Sequence, residues 1–406
     1  MQILFLHNNF PAQFGTLGQY LAQQGDDVWF GTQRKNSSLP GIKSFFYEPH
    51  REPNKQTHPY ALNFEKAVLN GQAVARAALK HKNNGLDPDI VVAHSGWGPG
   101  LYAKDIWPKA KYVGYFEWYY HPDSPDVQYF DAEKRSLDDE LRSRGRNAAI
   151  LTDLASCDAG LCPTKFQHDQ FPEALRSKLN VIHDGVDTNT YRRDSSATIT
   201  IGENTFSAED EIVTYVARGM EPYRGFPQFM KTVELIQKRR KNTKFLIVGE
   251  DRVAYGKQLK ADDSFKKRAL NDLDLDLSRT IFTGLLPRSE YLKVLQVSSI
   301  HMYLTIPFVL SWSMMEAMSA ECTLVASSHA PVRELIDHNK HGALVNMDEP
   351  EEMADVVCNL LDDRERRRAY GRAACERICA HYDFLSLSAK RKSLFEALVN
   401  NQSITL

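Results

Sequence analysis

The feature that most constrains the fold is an alternation, repeated along almost the whole chain, of short apolar segments with longer amphipathic ones. The short segments are rich in β-branched and aromatic residues, which predicts strands buried on both faces. In the first half these strands are predicted at residues 3–7, 28–32, 43–47, 90–94, 112–116 and 159–162, with helices at 13–24, 64–81 and 131–154. Such alternation predicts a doubly wound parallel sheet covered by helices, an α/β domain.

The alternation is interrupted by a polar stretch at residues 191–210, in which 198–206 resembles a small hairpin, and then it resumes. Further strands are predicted at 212–216, 245–248, 281–283, 300–304, 323–326 and 343–345, with helices at 227–238, 350–361 and 363–399. We therefore predict a first domain at 1–195, a second at 196–375, and a C-terminal helix at 376–406 that packs back on the first. Two such Rossmann-like domains are expected to face a shared cleft at the carboxyl ends of their strands.

The composition and charge of the chain limit the classes of partner that it is expected to bind. Lys and Arg number 50 against 52 Asp and Glu, so the net charge of −2 argues against a nucleic-acid partner. No apolar run approaches the ~20 residues that span a bilayer, and the first residues enter a strand instead of a signal segment. Six cysteines in 406 residues favour free thiols. We expect a cytoplasmic protein, with peripheral membrane contact as an open alternative.

Two arginines stand in the turn that follows one predicted strand of the second half. Arg218 and Arg224 lie six residues apart, between the strand at 212–216 and the helix at 227–238. Two guanidinium groups at the carboxyl end of a strand can neutralise the charge that builds on a departing diphosphate. An equally good interpretation is that both arginines pair with nearby acids at a loop surface.

A second segment joins the strand at 300–304 to a helix that starts near Met314. Ser311, Trp312 and Ser313 should therefore lie at a helix N-terminus, where free backbone N–H groups suit a phosphate. Glu316 follows in the first turn or so of that helix, where its carboxylate can accept hydrogen bonds from ribose hydroxyls. Its alternative role is to interact with the helix dipole.

These segments make the chain resemble glycosyltransferase family 4, the GT-B enzymes known as glycosyl transferases group 1. VIHDGVD at 181–187 is similar to the family's strand-Asn-Gly-Val-Asp turn, and the Arg218–Arg224 segment is similar to its Gly-Arg…Lys-Gly segment. Further similar segments are FLIVGE at 245–250, FTG and PRSE within 282–290, and EAM before TLVAS within 316–327. The resemblance covers nearly the whole chain, and the order and spacing of the segments carry it.

The resemblance implies transfer of a sugar from a nucleoside-diphosphate sugar to an acceptor hydroxyl, with retention at the anomeric carbon and no bound metal or other cofactor. It implies that Arg218 and Arg224 hold the donor diphosphate and that Glu316, the second glutamate of the family's Glu-x7-Glu motif, holds the ribose. Gly249 is a further predicted donor-binding residue. The first glutamate of the motif is replaced by Phe308, so backbone amides at 311–313 are expected to assist at the donor.

In the first half, polar side chains follow two of the predicted strands. Glu117 stands where family members commonly carry a histidine, and a carboxylate there can interact with the oxocarbenium-like charge or the acceptor hydroxyl. Pairing with a neighbouring base is an equal alternative. His94 is the last residue of the predicted strand at 90–94. It is either a residue of the site or a histidine buried in the core. Gly15, after the first strand, is expected to let backbone approach the donor phosphate.

The sequence thus predicts a retaining, metal-independent glycosyltransferase whose acceptor is a glycan, a lipid-linked sugar or a small metabolite. Two alternatives stay open: a GT-B sugar-nucleotide 2-epimerase, and a non-catalytic nucleotide-sugar-binding partner subunit. The chain contains neither a Gly-x-Gly-x-x-Gly after a strand nor a P-loop, which argues against dehydrogenases and P-loop enzymes.

Overall fold

The computed structural model describes residues 1–131 and 136–403, and it confirms the α/β class in both halves of the chain. The chain forms two compact units. The first contains Met1–Asp184 together with the segment from Leu385 onward, and the second is Gly185–Phe384.

The first unit is built on a parallel sheet. Its strands are β1 (Gln2–Leu6), β2 (Asp27–Thr32), β3 (Ile42–Phe46), β4 (Ile90–His94), β5 (Lys111–Tyr115), β6 (Ala159–Cys162) and β7 (Leu179–Val181). The spatial order is β3-β2-β1-β4-β5-β6-β7, so the strand order reverses between β1 and β4. Such a reversal opens a crevice at the carboxyl ends of the two strands. The six predicted strands are confirmed to within one residue at either end.

Helices cover this sheet. They are α1 (Gly15–Gln23), α2 (Leu62–Lys82), α3 (Ala103–Ile106), α4 (Pro125–Asp131), α5 (Leu137–Gly145), α6 (Ala148–Ser156) and α7 (Lys165–Asp169). The prediction of one helix at 131–154 is wrong; residues 132–135 lie outside the described residues, and the rest divides at 146–147. A side chain on Gly145 would lie 2.9 Å from the Tyr60 carbonyl oxygen. The Asn147 side chain bonds both backbone groups of Tyr120, at 2.9 and 2.7 Å, which holds the chain at the break.

The second unit has a parallel sheet of the same kind and a separate antiparallel hairpin. The hairpin is β8 (Thr198–Ile201) with β9 (Asn204–Ser207), and the sheet strands are β10 (Ile212–Gly219), β11 (Lys244–Glu250), β12 (Thr280–Gly284), β13 (Ile300–Tyr303), β14 (Leu324–Ser327) and β15 (Ala343–Val345). The spatial order is β12-β11-β10-β13-β14-β15. Here the reversal lies between β10 and β13, so the loops that follow these two strands line the crevice.

The helices of the second unit are α8 (Phe226–Arg239), α9 (Phe265–Asp272), α10 (Arg288–Val297), α11 (Trp312–Ser319), α12 (Ala330–Arg333), α13 (Pro350–Asp362) and α14 (Arg364–His381); α15 (Phe384–Val399) follows them. The predicted single helix at 363–399 is therefore two helices, α14 and α15. The break lies at Asp383, which forms a β-bridge with Val186 and accepts a hydrogen bond from the Thr188 hydroxyl at 2.6 Å.

The structure divides the chain at Asp184/Gly185, whereas the polar stretch suggests residue 195. Residues 185–195 belong to the second unit because Val186 and Tyr191 are buried in its core, beside Met314 and Met318. The chain returns to the first unit at Phe384/Leu385, and α15 packs there from Leu385 onward. Residues 376–381, which the sequence assigns to the C-terminal helix, are the end of α14 in the second unit.

Candidate active site

The two predicted arginines lie in very different surroundings. The prediction that both stand in the turn after the strand is wrong for Arg218, which is the penultimate residue of β10, whereas Arg224 does follow the strand. Arg218 is exposed, and its side chain has neither a hydrogen bond nor an ion pair within residues 1–131 and 136–403. Arg224 is only 4% exposed. Its Nη1 donates to the Thr305 hydroxyl at 2.8 Å and to the Val309 carbonyl at 2.9 Å, both in the loop after β13. Within the described residues, neither arginine forms the loop-surface ion pair with an acid that the sequence allows as an alternative.

Glu221, between the two arginines, is a buried residue that the sequence analysis did not single out. Its side chain is fully buried, and it accepts hydrogen bonds from the backbone N–H groups of Ala254, Tyr255 and Gly256 at 2.8 to 3.1 Å. This carboxylate therefore anchors the loop after β11. The loop in turn places the Tyr255 ring 5.0 Å from the Arg224 guanidinium. An acid in the turn between the predicted strand at 212–216 and the predicted helix at 227–238 is the signal that could have pointed to it.

Phe308, which replaces the first glutamate of the family motif, belongs to an aromatic cluster. Its ring lies 5.3 Å from that of Tyr223 and 5.5 Å from that of Tyr255, edge to face in both pairs. Tyr223 and Tyr255 are themselves 6.2 Å apart. The position is thus part of an apolar wall that continues to the Arg224 guanidinium through Tyr255.

The predicted phosphate-binding residues do lie at a helix N-terminus. Ser311 is the N-cap of α11, and its hydroxyl accepts the Ser313 N–H at 3.4 Å. The Ser311 N–H donates to the Tyr303 hydroxyl at 2.8 Å. Two of the three predicted backbone donors thus already have partners inside the protein. The Trp312 side chain is 41% exposed, while Ser313 is buried.

Glu316 lies one turn into α11 and is 8% exposed. Its Oε2 accepts a hydrogen bond from the Tyr291 hydroxyl at 2.7 Å, and its Oε1 lies 3.6 Å from Arg288 Nη2. Arg288 also donates to the Tyr191 hydroxyl at 3.0 Å. Burial and the Glu316 charge raise the pKa of Tyr291 well above its usual range and that of Tyr191 to about 12, so both remain hydroxyl donors.

Gly249 lies near the end of β11 with φ +143°, a conformation that favours glycine. A side chain here would lie 2.0 Å from the Ala217 carbonyl oxygen on β10. This glycine therefore permits the close approach of the two strands beside Arg218. Gly15 has a similar packing role in the first unit, because a Cβ on this first residue of α1 would lie 2.3 Å from the Pro11 Cβ.

In the first unit, His94 and Glu117 come together at the carboxyl ends of β4 and β5. His94 Nε2 lies 3.3 Å from Glu117 Oε2, and its Nδ1 is 2.9 Å from the Ser95 carbonyl oxygen. His94 is 3% exposed, whereas the Glu117 side chain is 30% exposed. Glu117 also accepts a hydrogen bond from Gln13 at 3.4 Å. The two residues can therefore present one oriented carboxylate to a ligand.

His7, directly after β1, packs against this pair. Its ring makes an edge contact with the His94 ring at 5.1 Å. Burial and the neighbouring His94 lower the pKa of His7 to about 3, so it is neutral at pH 7. Its Nδ1 lies 2.8 Å from the Asn9 backbone nitrogen and 3.1 Å from the Asn9 carbonyl oxygen. His7 is thus an uncharged ring packed against His94, and it cannot supply a positive charge to the pair.

Asp153 on α6 holds the turn that follows β4. It is fully buried and accepts hydrogen bonds from the Ser95 hydroxyl at 2.8 Å, the Gly96 N–H at 3.2 Å and the Tyr112 hydroxyl at 3.0 Å. Burial raises the pKa of Asp153 from 3.8 to about 6, because its effect on the pKa exceeds the opposite effect of these hydrogen bonds. Between these two values the folded chain keeps a proton that the unfolded chain has lost.

The raised pKa gives a prediction for Asp153→Asn. Because the folded state binds more protons, the free energy of unfolding of the wild type should fall as pH rises from 3.8 to about 6. Relative to the Asn variant, whose amide does not titrate, that fall should amount to about 3 kcal/mol. Urea unfolding of both proteins across this range measures it. Parallel pH profiles would contradict the assignment.

Comparison with known proteins places the chain in a family. Residues 24–191 match the family model Glycosyl transferase family 4 group, and residues 210–363 match the model Glycosyl transferases group 1. The chain is a family 4 glycosyltransferase. This glycosyltransferase is 26% identical over 179 residues to an uncharacterized glycosyltransferase of Methanocaldococcus jannaschii. The alignment covers 44% of the chain and 43% of the relative, less than half of that relative's length.

Solved structures confirm the GT-B fold of the glycosyltransferase. Sucrose-phosphate synthase from Thermosynechococcus elongatus is similar with a TM-score of 0.71 and 16% identity, over 99% of this chain and 100% of the other. Anabaena HepE in complex with UDP and glucose has a TM-score of 0.69 and 14% identity, over 98% and 100%. A glycosyltransferase from Rickettsia africae has a TM-score of 0.68 and 15% identity, over 99% of each chain.

The described residues contain neither a helix suited to cross a membrane nor a cluster suited to hold a metal ion. None of their helices is both long and apolar enough to cross a bilayer. No group of three or more His, Cys, Asp or Glu side chains among them could hold a metal ion. The six cysteines are unpaired thiols, as the composition predicts.

Proposed function

We propose that this glycosyltransferase moves a sugar from a nucleoside-diphosphate sugar to an acceptor hydroxyl, with retention at the anomeric carbon and without a bound metal. The observation that carries the proposal is Arg218, an exposed guanidinium without a protein partner in the described part of the chain, in a segment where Arg224 is rigidly held. The UDP bound in the similar HepE structure supports a nucleoside diphosphate as the leaving group.

The two arginines suit different tasks on a diphosphate. Arg224 is oriented in advance by Thr305 and Val309, so no side-chain freedom has to be lost when the phosphate arrives. Arg218 is exposed and can close on the phosphate oxygens after binding. Together they stabilise the negative charge that develops as the bond between the sugar and the phosphate breaks.

Glu316 is proposed to hold the ribose of the donor. Tyr291 occupies one carboxylate oxygen, and the other lies 3.6 Å from Arg288, which is too long for a hydrogen bond. That second oxygen therefore keeps capacity to accept from a ribose hydroxyl.

Glu316→Ala should weaken binding of UDP by about tenfold, because a charge-assisted hydrogen bond to the ribose is lost. Isothermal titration of UDP measures the change. Tyr291→Phe is the matched control, since it removes a partner of Glu316 but leaves the carboxylate in place, and it should retain most of the affinity. Equal affinity in the Ala variant and the wild type would contradict the ribose assignment.

The proposed chemical step needs no carboxylate nucleophile. As the C–O bond to the diphosphate breaks, an oxygen of the departing phosphate takes the proton of the acceptor hydroxyl, and the acceptor oxygen bonds to the anomeric carbon on the same face. Glu117 is proposed to interact with the acceptor hydroxyl or with the positive charge on the sugar. His94, at 3.3 Å, orients that carboxylate.

The function is tested by incubating the full chain with uridine, guanosine and adenosine diphosphate sugars. A donor that binds should raise the melting temperature by mass action. With an acceptor panel, release of the nucleoside diphosphate and an NMR spectrum of the product show transfer and the anomeric configuration. Conversion of the donor sugar without any acceptor would indicate an epimerase instead, and an inverted product would contradict retention.

A further inference from the structure

The turn after β4 holds an exposed tryptophan in a rigid setting. Trp97 is 40% exposed, yet the backbone on both sides of it is anchored from the protein interior. Asp153 binds Ser95 and Gly96 before it, and the Asn70 side chain donates to the Trp97 carbonyl at 2.8 Å. The indole is therefore preorganised at the surface and is not a mobile loop residue.

The glycines on either side of Trp97 fix the same turn. Gly96 and Gly98 have φ +88° and +90°, which favours glycine at both positions. A side chain on Gly98 would lie 2.0 Å from the Ala67 carbonyl oxygen on α2, so the turn packs directly on that helix. Two glycines and two buried polar anchors thus maintain one exposed aromatic ring.

The ring of Trp97 is covered only in part, by two histidines. It stacks on His94 at 4.2 Å with an angle of 17°, and it meets the edge of His7 at 5.1 Å. Trp97 is nevertheless 40% exposed, so the part of the residue that these histidines leave uncovered is open to solvent. The indole N–H has no hydrogen-bond partner among the residues that the structure describes, so it can donate to a ligand.

Hydrogen-bonding groups adjoin this aromatic ring. The Glu117 carboxylate lies 3.3 Å from His94, on which Trp97 stacks, and the Gln13 amide lies 3.4 Å from Glu117. A pyranose ring has a face of C–H groups that packs on an indole and a rim of hydroxyls that donate to a carboxylate. The cluster combines both kinds of contact within one small area.

From this combination we infer that Trp97 and Glu117 form a saccharide-binding subsite on the first unit, with the indole as stacking platform and the carboxylate as hydroxyl acceptor. The expected ligand is a neutral pyranose, either free or as the terminal sugar of a glycoconjugate. Binding of a saccharide here needs no donor. Its use as the acceptor subsite rests on the proposed transferase function, and it would make a sugar hydroxyl the acceptor.

The subsite is tested by saturation-transfer NMR on the full chain, with the aromatic protons irradiated. The probes are the methyl glycosides of glucose, galactose, mannose and N-acetylglucosamine, and uridine is the stacking ligand that lacks a pyranose. At least one glycoside should receive saturation at its C–H protons in the wild type. Trp97→Ala should weaken that binding about tenfold or more, since the stacking area is lost.

Two further variants keep the test decisive. Trp97→Phe retains an aromatic face and should retain most of the binding, whereas Glu117→Gln should weaken it without abolishing the stacking contact. Phe46→Ala is the control, because Phe46 is 37% exposed on β3, the outermost strand of the same sheet, and it should bind as the wild type does. Unchanged melting temperatures show that the variants fold.

Three results would overturn the inference: no glycoside saturated in the wild type, equal binding by Trp97→Ala, or Trp97-dependent binding of uridine alone. None of them depends on the donor. Binding of UDP, measured separately by titration, tests the proposed function, so a chain that binds glycosides but no nucleotide would retain the subsite and lose the transferase assignment.

Discussion

Replacing Arg218 by alanine is expected to lower kcat/KM for transfer from a nucleotide sugar by about 10²-fold to 10³-fold, because charge stabilisation on the departing diphosphate is lost. The free energy of unfolding should stay the same, since the exposed side chain has no partner in the described residues whose contact could be lost. Steady-state kinetics with the donor found in the screen, together with urea unfolding, measure both quantities.

Arg252 provides the matched control for Arg218. It is also an exposed arginine at the end of a neighbouring strand, but its Nε is paired with Glu250 at 2.5 Å. Arg252→Ala should leave turnover within a few-fold of the wild type, and Arg218→Lys should recover part of the lost activity because the charge is kept. Full activity of Arg218→Ala, or an equal loss in the Arg252 variant, would refute the assignment.

Arg224→Ala is expected to behave differently from Arg218→Ala. It removes a buried donor from the Thr305 hydroxyl and the Val309 carbonyl, so it should cost about 2 kcal/mol of stability as well as activity. We expect Arg224→Ala to lose both stability and activity, and Arg218→Ala to lose activity alone. That difference would distinguish the preorganised arginine from the exposed one.

The second large effect is expected at a buried charge in the first unit. Arg391 on α15 is 3% exposed and donates to the His183 carbonyl at 2.7 Å. Burial lowers the pKa of this guanidinium, and the charge of Asp184 opposes that shift. Asp184 also accepts from the Tyr115 hydroxyl at 2.9 Å. One carboxylate thus stabilises a hydroxyl at the end of β5 and a buried cation on the C-terminal helix.

Asp184→Ala should therefore lower the free energy of unfolding by about 3 kcal/mol, because it leaves a buried hydroxyl without its acceptor and a buried cation without its neighbouring negative charge. Asp184→Asn, the residue that the family motif has at this position, keeps an acceptor for Tyr115 and should lose less. Adding Arg391→Met to the Ala variant should restore part of the stability, since the uncompensated charge is gone. Urea unfolding of the cycle measures the coupling, and strictly additive changes would contradict it.

Much of the fold was predictable because both sheets are parallel and covered on both faces, so their strands are continuous apolar runs such as residues 90–94 and 245–248. The ends of the helices were harder to predict from the sequence. The breaks at 146–147 and at Asp383 depend on tertiary contacts of Asn147 with Tyr120 and of Asp383 with Thr188. Helical periodicity continues through both breaks, and no local pattern reports such distant partners.

The sequence predicts where the residues of the candidate site lie along the chain, but it does not predict the role of each one. The sequence places Arg218 and Arg224 beyond the same strand, but only packing shows that one is open and the other held by Thr305 and Val309. Trp97 was not singled out, since a tryptophan after a buried strand reads equally well as core. Its exposure follows from Asp153, a residue distant in sequence that anchors the turn.

The anchoring of the loop after β11 has a consequence for how this enzyme can change. Glu221 binds only main-chain N–H groups there, so the attachment does not depend on which side chains positions 254 and 255 carry, whereas a Cβ on Gly256 would lie 3.2 Å from the Glu221 carboxylate. The loop can accordingly exchange Tyr255 for other residues while its path is preserved. A library randomised at positions 254 and 255 should yield folded variants with altered donor preference, which makes this loop a natural place for selection or engineering to begin.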